Sequence, residues 1–501
     1  MVYGCSFIQI VKKLGKNIFL ILGMGLLVFG CRQNPAAKQV SDTSSEKKLP
    51  NIIFLFSDDQ SFKDVGVLGN LEVKTPTLDR MVGEGTTFTH AYNMGGWNGA
   101  ICVASRAMII SGRSLWRAQQ VSGEYAKGME TEKTWPKLMK TVGYETYMTG
   151  KWHVEAKPSE VFDHVGHVLR GMPFDTPDGY NRPLGVTDTL WKPWKTEFGG
   201  YWQGGKHWSE VVKEDAVAFL DSAAQRKDPF FMYIAFNAPH DPRQSPKEYV
   251  DMYDLDNISI PQSFLPQNPH MEAMGVGPGL RDERLAPFPR TEYSVKVNRQ
   301  EYYAITSHLD DQLKDILETL ERNGQKDNTY IIYTSDHGLA CGEHGLMGKQ
   351  SMYDHSIRVP LMIIGPDVPK GKKVAADVYL QDVMATALDL GRVDKPEYVE
   401  FNSLMDLVRG DRAKSNYDAI FGTYERNSQR MIRKDGYKLI VYPRSEVLLL
   451  YDLENDPQEL HDIASLPTNK EKIRGLFKEL MGLQEKMGDS LDLKSIYNKI
   501  L

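Results

Sequence analysis

Two adjacent aspartates, Asp58 and Asp59, follow an apolar run near the start of the chain and could hold a metal ion. The run reads Asn51-Ile-Ile-Phe-Leu-Phe56 and is followed by a serine. Adjacent carboxylates repel each other unless a cation lies between them, and carboxylate oxygens are ligands that hard divalent ions prefer. A turn or a helix cap after a strand is the structural alternative, which the pair alone does not exclude.

A lysine and a histidine two residues apart form a second candidate group. Lys151 and His153 follow the segment 144–149, which is predicted to be a strand. Just past the end of a strand, a lysine can bind an anion and a histidine can move a proton. A surface turn is the alternative, and an isolated pair of this kind would favour it.

A cysteine with no second cysteine nearby opens the most distinctive stretch of the sequence. Residues 102–113 read Cys-Val-Ala-Ser-Arg-Ala-Met-Ile-Ile-Ser-Gly-Arg. Ser105 and Arg106 therefore follow Cys102 closely, and a short apolar run ends at the final Ser-Gly-Arg. By itself the stretch also fits a buried free thiol at the start of a helix.

This stretch resembles the signature of the type I sulfatases: Cys, any residue, Pro or Ala, Ser and Arg, then Thr or Ser, Gly, and Arg or Lys. Four other segments resemble motifs of the same family and come in the family's order, so the resemblance extends over about residues 50–460. They are Ser57-Asp-Asp59, Gly150-Lys-Trp-His153, Pro239-His240, and Ser335-Asp-His-Gly338 with the later Gly348-Lys349.

The resemblance implies an alkaline-phosphatase-like fold and the hydrolysis of sulfate monoesters. In this family a maturation enzyme oxidises the cysteine to formylglycine (3-oxoalanine), whose hydrate is the nucleophile, and Cys102 is the matching residue. Ala104 stands where many members have proline. That departure favours maturation by the radical, oxygen-independent type of enzyme.

The matching positions imply roles for further residues. The site is expected to hold one divalent ion, with Asp58, Asp59, Asp336 and His337 as its ligands. The expected ion is Ca²⁺, with Mg²⁺ as the alternative. Positive charge for the sulfate oxygens would come from Arg106, Lys151 and Lys349. Asp336 or the metal would assist the attack of the first hydroxyl of the hydrate on sulfur. His240, alone or with Lys349, would give a proton to the leaving alcohol, and His153 would take one from the second hydroxyl.

Long aromatic-rich segments indicate what the substrate could be. Residues 170–208 are rich in glycine, proline and aromatic residues and are predicted to form an inserted loop, with residues 258–292 as a second excursion over the site. Exposed tryptophans could stack on sugar rings, so the sequence predicts a sulfated carbohydrate substrate contacted by Trp97, Trp191 and Trp202. Packing of each tryptophan onto the body of the protein is the alternative.

Composition excludes some classes of function. A net charge of −6 gives no sign of non-specific nucleic-acid binding, so an anionic substrate must meet a local basic pocket. Four cysteines in 501 residues are too few for a disulfide framework.

Residues 1–30 have the features of a secretory signal peptide. Three lysines precede an apolar run that ends at Phe29 and is too short for an ordinary membrane-spanning helix. Gly30-Cys31 resembles a bacterial lipoprotein cleavage box, although Phe29 is bulkier than usual. Cleavage would leave Cys31 as a lipidated first residue and residues 31–49 as a flexible tether. The sequence therefore predicts an exported lipoprotein, periplasmic or attached to the outer membrane, with simple secretion or an uncleaved anchor as alternatives.

The expected fold class is α/β. Continuous apolar runs such as residues 51–56 and 330–334 suit strands buried on both faces of a parallel sheet. Together with the resemblance, they predict an α/β/α sandwich with a large mixed, mostly parallel sheet in a catalytic domain over residues 50–415. Residues 416–501 are predicted to form a smaller α+β subdomain with a short antiparallel sheet.

Two other functions stay open at this point. A phosphomonoester or phosphodiester hydrolase of the same superfamily would use an unmodified Thr or Ser, or two zinc ions with more histidine ligands. The Ser105-Arg106 context argues against it. A non-catalytic sugar-binding lipoprotein is the other alternative, because of the tryptophan-rich loop and the tether.

Overall fold

A large central sheet organises the chain in the computed structural model, which describes residues 48–174 and 176–500. The predicted signal peptide, residues 1–30, and nearly all of the predicted tether, residues 31–49, lie outside the described residues. No helix in the described part of the chain is both long and apolar enough to span a membrane.

The described ranges contain fourteen β-strands and fourteen α-helices. The strands are β1 (Asn51–Asp58), β2 (Thr86–Tyr92), β3 (Gly95–Gly96), β4 (Glu145–Lys151), β5 (His164–Leu169), β6 (Phe230–Pro239), β7 (Thr329–Ser335), β8 (Arg358–Ile364), β9 (Lys372–Val374), β10 (Val378–Tyr379), β11 (Ile420–Tyr424), β12 (Gln429–Lys434), β13 (Tyr437–Tyr442) and β14 (Val447–Asp452). The helices are α1 (Pro76–Glu84), α2 (Ile101–Ser111), α3 (Leu115–Tyr125), α4 (Trp135–Lys140), α5 (Pro158–Val161), α6 (Trp208–Ala223), α7 (Lys247–Val250), α8 (Met271–Met274), α9 (Glu292–Arg322), α10 (Asp354–Ile357), α11 (Asp382–Leu390), α12 (Met405–Arg409), α13 (Lys470–Lys486) and α14 (Leu493–Ile500).

The large sheet is mixed and mostly parallel. Its strands lie in the order β10-β2-β8-β7-β1-β6-β4-β5, with β9 also paired to β2. The neighbours β7, β1, β6, β4 and β5 run parallel to one another, whereas β8 runs antiparallel to both β7 and β2. The predicted fold class is therefore confirmed.

Helices cover both faces of this sheet because the strand side chains alternate between two apolar clusters. In β1, Ile52, Phe54 and Phe56 pack with residues of α4 and α11, whereas Ile53 and Leu55 pack with residues of α1, α6 and α9. The continuous apolar run of β1 is thus explained by burial on both faces, which is the sandwich that the sequence predicts.

A smaller sheet lies mainly in the C-terminal part of the chain. Its order is β14-β13-β12-β11-β3, and all its pairs are antiparallel except β11 with β3. The short strand β3 comes from the segment just before Cys102. It was not predicted, because two glycines have no apolar or alternating pattern. The predicted antiparallel sheet is confirmed, and the domain bounds at residues 415 and 416 stay a prediction.

The parallel strands deliver polar residues to one edge of the large sheet. β1 ends at Asp58, β4 ends at Lys151, β7 is followed by Asp336, and β6 is followed by His240. Because the carboxyl ends of adjacent parallel strands meet at the same edge, these side chains can form one site.

Candidate active site

The two aspartates at the end of β1 face different lysines. Lys151 forms an ion pair with Asp58. The Nζ atom of Lys349 lies 2.8 and 2.6 Å from the two carboxylate oxygens of Asp59. Asp59 has a left-handed backbone with φ of 64°. Aspartate adopts this conformation more readily than most residues other than glycine.

Arg106 connects helix α2 to the ends of β4 and β7. Its Nε atom donates to Asp336 Oδ2 at 2.9 Å, and its Nη1 atom donates to the carbonyl oxygen of Lys151 at 2.8 Å. Asp336 Oδ1 also accepts the backbone N–H of Asp59 at 3.2 Å. Helix α2 and the ends of β1, β4 and β7 are therefore held together by charge-assisted hydrogen bonds.

Cys102 lies in the first turn of α2, inside this group of charges. The side chain is buried, and Lys349 Nζ is 3.2 Å from its Sγ atom. Potential ligand atoms of Asp58, Asp59, Cys102 and His240 all lie within 4.8 Å of one another. The cysteine, the two acids and the histidine thus surround a single point.

The chemistry of this group fits a divalent metal ion. Asp58 Oδ1 is buried and has no hydrogen-bond partner. His337 is fully buried, its Nδ1 donates to the carbonyl oxygen of Gly338 at 2.7 Å, and its Nε2 has no partner. Buried polar atoms rarely stay unpaired, and an imidazole whose Nδ1 donates to a carbonyl offers its Nε2 lone pair to a metal. Asp58 Oδ1 and His337 Nε2 are therefore available to bind an ion, and the assignment of Asp59 and Asp336 as further ligands stays a prediction.

Burial and neighbouring charges set the ionisation of the site. Burial opposes ionisation of Asp58, but the charges of Lys151, His240 and Arg106 outweigh it and hold its pKa well below the usual range. Burial lowers the pKa of His337 to about 3, so its imidazole is neutral. Burial and the carboxylate of Asp58 raise the pKa of Asp336 to about 7 against the pull of Arg106.

His153 lies beside the site in its neutral form. Burial and the charges of Lys151 and Arg106 lower its pKa to about 2, and its buried Nδ1 has no hydrogen-bond partner. The backbone has φ of 53°. Its motif begins with Gly150, where a Cβ atom would lie 1.8 Å from the carbonyl oxygen of Ala235, so only glycine fits there. The imidazole is therefore neutral, but so low a pKa makes it a weak base, and its role in accepting a proton stays a prediction.

His240 follows β6 and points toward the acids. Its Nε2 is 3.4 Å from Asp59 Oδ2, and its Nδ1 is 3.0 Å from Asp241 Oδ1. Burial would lower the pKa of His240, but the carboxylates of Asp241 and Asp59 outweigh it and raise the pKa well above the usual value. The imidazole of His240 is therefore protonated, and its role as the acid stays a prediction.

The three predicted aromatic contacts are partly buried and pack against the protein. Trp191 lies against Phe198, with ring centroids 5.0 Å apart, and Trp202 donates from its indole N–H to the carbonyl oxygen of Pro193 at 2.9 Å. Trp97 packs against the apolar cluster that contains residues of α2. Their packing follows the structural alternative, and their role in substrate binding stays a prediction.

Several neighbours of the site were not predicted. Asp241 and Tyr180 lie on the Nδ1 side of His240, whereas Nη2 of Arg281 is 3.5 Å from both His240 Nε2 and Asp241 Oδ1. Gln350 and Asp282 adjoin Lys349. Tyr180 and Arg281 come from the two long loops, which have no periodic pattern. The one available signal was the position of Asp241 directly after His240.

Comparison with known proteins agrees with this geometry. A sequence model of the sulfatase family matches residues 50–393, well over half of the chain. The chain belongs to the sulfatase family. A second model, for the C-terminal region of N-sulphoglucosamine sulphohydrolase, matches residues 342–486.

Relatives of this sulfatase carry names that describe the same reaction. The chain is 29% identical to an arylsulfatase of Clostridium perfringens over 502 residues, covering 89% of the chain and 98% of the relative. It is 24% identical to the N-acetylglucosamine-6-O-sulfatase of Bacteroides thetaiotaomicron, covering 89% of the chain and 88% of the relative. The chain is therefore a sulfuric ester hydrolase, which leaves the non-catalytic alternative without support.

Solved structures share the fold of this sulfatase. One, determined with its substrate D-glucosamine-2-N,6-O-disulfate, matches with a TM-score of 0.70 at 23% identity and covers 88% of the chain and 99% of its own. A phosphonate monoester hydrolase of Agrobacterium radiobacter matches with a TM-score of 0.67 at 19% identity and covers 87% and 96%. At these identities the likeness concerns the fold alone.

Proposed function

We propose that this sulfatase removes sulfate from a sulfated polysaccharide or oligosaccharide by means of a formylglycine made from Cys102 and one divalent ion. The observation that carries the proposal is the position of Lys349. A single ammonium group contacts both the Cys102 sulfur, at 3.2 Å, and the Asp59 carboxylate, at 2.6 Å. The residue that would be oxidised therefore lies next to the acids that would bind the metal.

The balance of charge in the site supports an anionic substrate. Three carboxylates are paired with three basic side chains, Asp58 with Lys151, Asp59 with Lys349 and Asp336 with Arg106. The neutral His153 and His337 add no charge, and the protonated His240 is balanced by its ion pair with Asp241. A bound divalent ion would therefore leave the site positive, which favours a sulfate monoester anion and stabilises charge that develops on its oxygens.

The ligands proposed for the ion are Asp58, Asp59, Asp336 and His337, and Ca²⁺ is the proposed ion because most of these ligands are hard oxygens. Mg²⁺ stays the alternative. When bound, the ion would neutralise oxygens of the sulfate group.

The aldehyde hydrate derived from Cys102 would supply one hydroxyl to attack sulfur and a second whose deprotonation expels sulfate, so no water molecule has to attack the sulfated enzyme. Arg106, Lys151 and Lys349 would bind the sulfate oxygens. His240 would protonate the leaving alcohol, and the neutral His153 would accept the proton of the second hydroxyl. The family position of Cys102 supports this assignment, and a radical, oxygen-independent maturation enzyme is proposed from Ala104.

The names of relatives support a saccharide substrate. One relative is an N-acetylglucosamine-6-O-sulfatase, and another, 24% identical over 512 residues, is an ulvan-active sulfatase of Formosa agariphila. The proposed lipid anchor at Cys31 would place the enzyme outside the cytoplasm, in the periplasm or at the outer membrane. That location would suit the breakdown of a sulfated polysaccharide.

The experiment is the release of sulfate by protein that is co-produced with a formylglycine-generating enzyme. Sulfate is expected from 4-nitrophenyl sulfate and from at least one defined sulfated oligosaccharide, and Cys102→Ala is expected to abolish both reactions. Sulfate release that survives in the variant would contradict the role of Cys102. Activity restricted to small aryl or choline sulfates would overturn the polysaccharide proposal.

Parallel assays address the remaining alternative. The same preparations are tested on 4-nitrophenyl phosphate and on a phenylphosphonate ester at equal concentrations. The proposal predicts much slower reactions than with the sulfate ester, and a faster reaction with either phosphorus ester would favour a phosphomonoester or phosphonate hydrolase.

A further inference from the structure

The residue directly after the proposed acid, Asp241, holds one side of its ring. The Nδ1 of His240 lies 2.7 Å from the backbone carbonyl oxygen of Asp241 and 3.0 Å from its Oδ1. Both acceptors lie on the side of the ring opposite to Nε2. The remaining nitrogen, Nε2, lies 3.4 Å from Asp59 Oδ2, within the cluster that contains Cys102.

Two loops from distant parts of the sequence hold the carboxylate of Asp241 in turn. The hydroxyl of Tyr180, in the 170–208 insertion, donates to Asp241 Oδ2 at 2.5 Å. Arg281, in the 258–292 excursion, places Nη2 3.5 Å from Asp241 Oδ1. Asp241 is only 3% exposed. A buried carboxylate with three partners has little freedom to turn away from the histidine.

We propose that Asp241 is a positioning residue that orients His240 for protonation of the leaving alcohol, and that Tyr180 fixes Asp241 in that arrangement. The inference rests on the acid role of His240 in the proposed function. A histidine whose Nδ1–H is bound by a carboxylate keeps one ring orientation and presents Nε2 to the reaction.

The step that Asp241 assists is a single proton transfer. As the bond between sulfur and the bridging oxygen breaks, its electron pair goes to that oxygen. The proton on His240 Nε2 moves to the same oxygen, so the alcohol leaves neutral and the imidazolium becomes a neutral imidazole. The proton on Nδ1 stays on the imidazole ring, hydrogen-bonded to Asp241, so the carboxylate keeps its negative charge.

Through the contact of Tyr180 with Asp241, the 170–208 insertion would influence the proton transfer from His240. The hydroxyl of Tyr180 reaches the carboxylate of Asp241, whereas the hydroxyl of Tyr201, from the same insertion, donates to the backbone carbonyl oxygen of His240 at 3.2 Å. Tyr201 therefore contacts the same turn without contacting the carboxylate. The two tyrosines form a matched pair in which one hydroxyl is connected to the positioning residue and the other is not.

The test compares two leaving groups. A sulfated alcohol, such as a monosaccharide 6-sulfate, needs a proton to leave, whereas 4-nitrophenolate leaves without one. Asp241→Asn is expected to lower kcat for the sugar sulfate about 10- to 100-fold, because general acid catalysis typically contributes 10²–10⁴, and to change kcat for 4-nitrophenyl sulfate by less than about threefold. Tyr180→Phe is expected to shift the ratio of the two rates in the same direction by a smaller factor, whereas Tyr201→Phe leaves the ratio unchanged.

The possible failures are distinguishable. If Asp241→Asn leaves the ratio of the two kcat values unchanged, whether or not both values fall, the positioning role is overturned. A structural defect would affect both leaving groups alike. His240→Ala is measured beside it. If His240→Ala slows both substrates equally, the acid role of His240 fails; if only His240→Ala is selective, that role stands and the inference about Asp241 is wrong.

Discussion

Single side chains in this site act through buried charge. Lys349 is 2% exposed, and its one ammonium group contacts the carboxylate of Asp59 and the sulfur of Cys102. Lys151 and Arg106 are completely buried beside their own acids. Charges in a water-excluded site act strongly on a reacting group, so the loss of one of them should be measurable in catalysis.

Replacement of Lys349 tests this dependence. Lys349→Met keeps much of the volume but removes the charge next to Cys102, and we expect kcat on 4-nitrophenyl sulfate to fall about 100- to 1000-fold. Steady-state kinetics gives the value, and thermal unfolding shows whether the variant is folded. Lys157→Met, at an exposed lysine paired with Glu160, is the control and should keep its activity. A kcat for Lys349→Met within threefold of the parent would contradict the assignment.

Metal binding should stabilise the protein as well as activate it. Chelator-treated protein is expected to lose activity and to regain it with Ca²⁺, with Mg²⁺ as the second ion to test. A ligand at 100 times its Kd stabilises the folded state by about 2.7 kcal/mol, so the midpoint of thermal unfolding should rise on addition of the ion. In Asp58→Asn that rise should be much smaller. An equal rise in both proteins would place the ion elsewhere.

The strands differ in how well the sequence predicts them. The apolar runs of β1 and β7 predict these strands, because a strand that is buried on both faces needs apolar residues at every position. The two-glycine strand β3 could not be predicted, since its pairing with β11 depends on a distant segment of the chain.

The residues of the site also divide into those that the sequence predicts and those that it does not. The motif residues Cys102, Asp58 and Asp59 were predicted, and the structure brings them together. It also pairs two other predicted residues, Arg106 and Asp336. Tyr180 and Arg281 could not be predicted, because they reach Asp241 only through the course of two irregular loops. Residues in such loops follow no period that links them to a partner.

The short strand β3 gives a prediction about Gly95. A Cβ atom there would lie 1.9 Å from the carbonyl oxygen of Thr423, and the residue has φ of 103°. Gly95→Ala should therefore break the pairing of β3 with β11, lower the midpoint of thermal unfolding, and reduce kcat by displacing the segment that leads to Cys102. Unchanged unfolding and activity in Gly95→Ala would show that β3 does not constrain this segment.

A matched glycine provides the control for that experiment. Gly83 lies in helix α1, and nothing is within 4 Å of a Cβ atom placed on it. Gly83→Ala should raise stability by about 0.5–1 kcal/mol, since alanine loses less conformational freedom in a helix. The two substitutions are chemically identical and should change stability in opposite directions.

The C-terminal sheet and the catalytic part of the chain share one apolar cluster. Ile101 and Met108 of α2 pack in the same cluster as Met431 of β12 and Leu439 of β13. The helix that carries Cys102 is thus supported by residues more than three hundred positions later in the sequence. We expect a chain truncated after residue 415 to be insoluble, because this face of α2 would be exposed.

A buried ion cluster connects the same two parts. Lys438 of β13 lies 2.5 Å from Asp354 and 2.6 Å from Glu459 and is completely buried. Lys438→Met would leave the buried Glu459 without its cationic partner and Asp354 with the more distant Arg358. Removing one member of a buried ion pair typically costs about 3–5 kcal/mol, and denaturant unfolding should show the loss. Lys434→Met, at a partly exposed lysine paired with Glu479, should change stability by less than about 1 kcal/mol. Similar values for the two variants would contradict the structural role of the cluster.

The most direct measurement relates specific activity to the oxidation state of Cys102. Batches produced with different amounts of maturation enzyme are analysed by peptide mass spectrometry for the fraction of formylglycine at this position, and sulfate release is measured on the same samples. If formylglycine at this position is the nucleophile, specific activity is expected to be proportional to that fraction and to vanish when the fraction is zero. Full activity in protein that carries an unmodified cysteine would contradict this expectation.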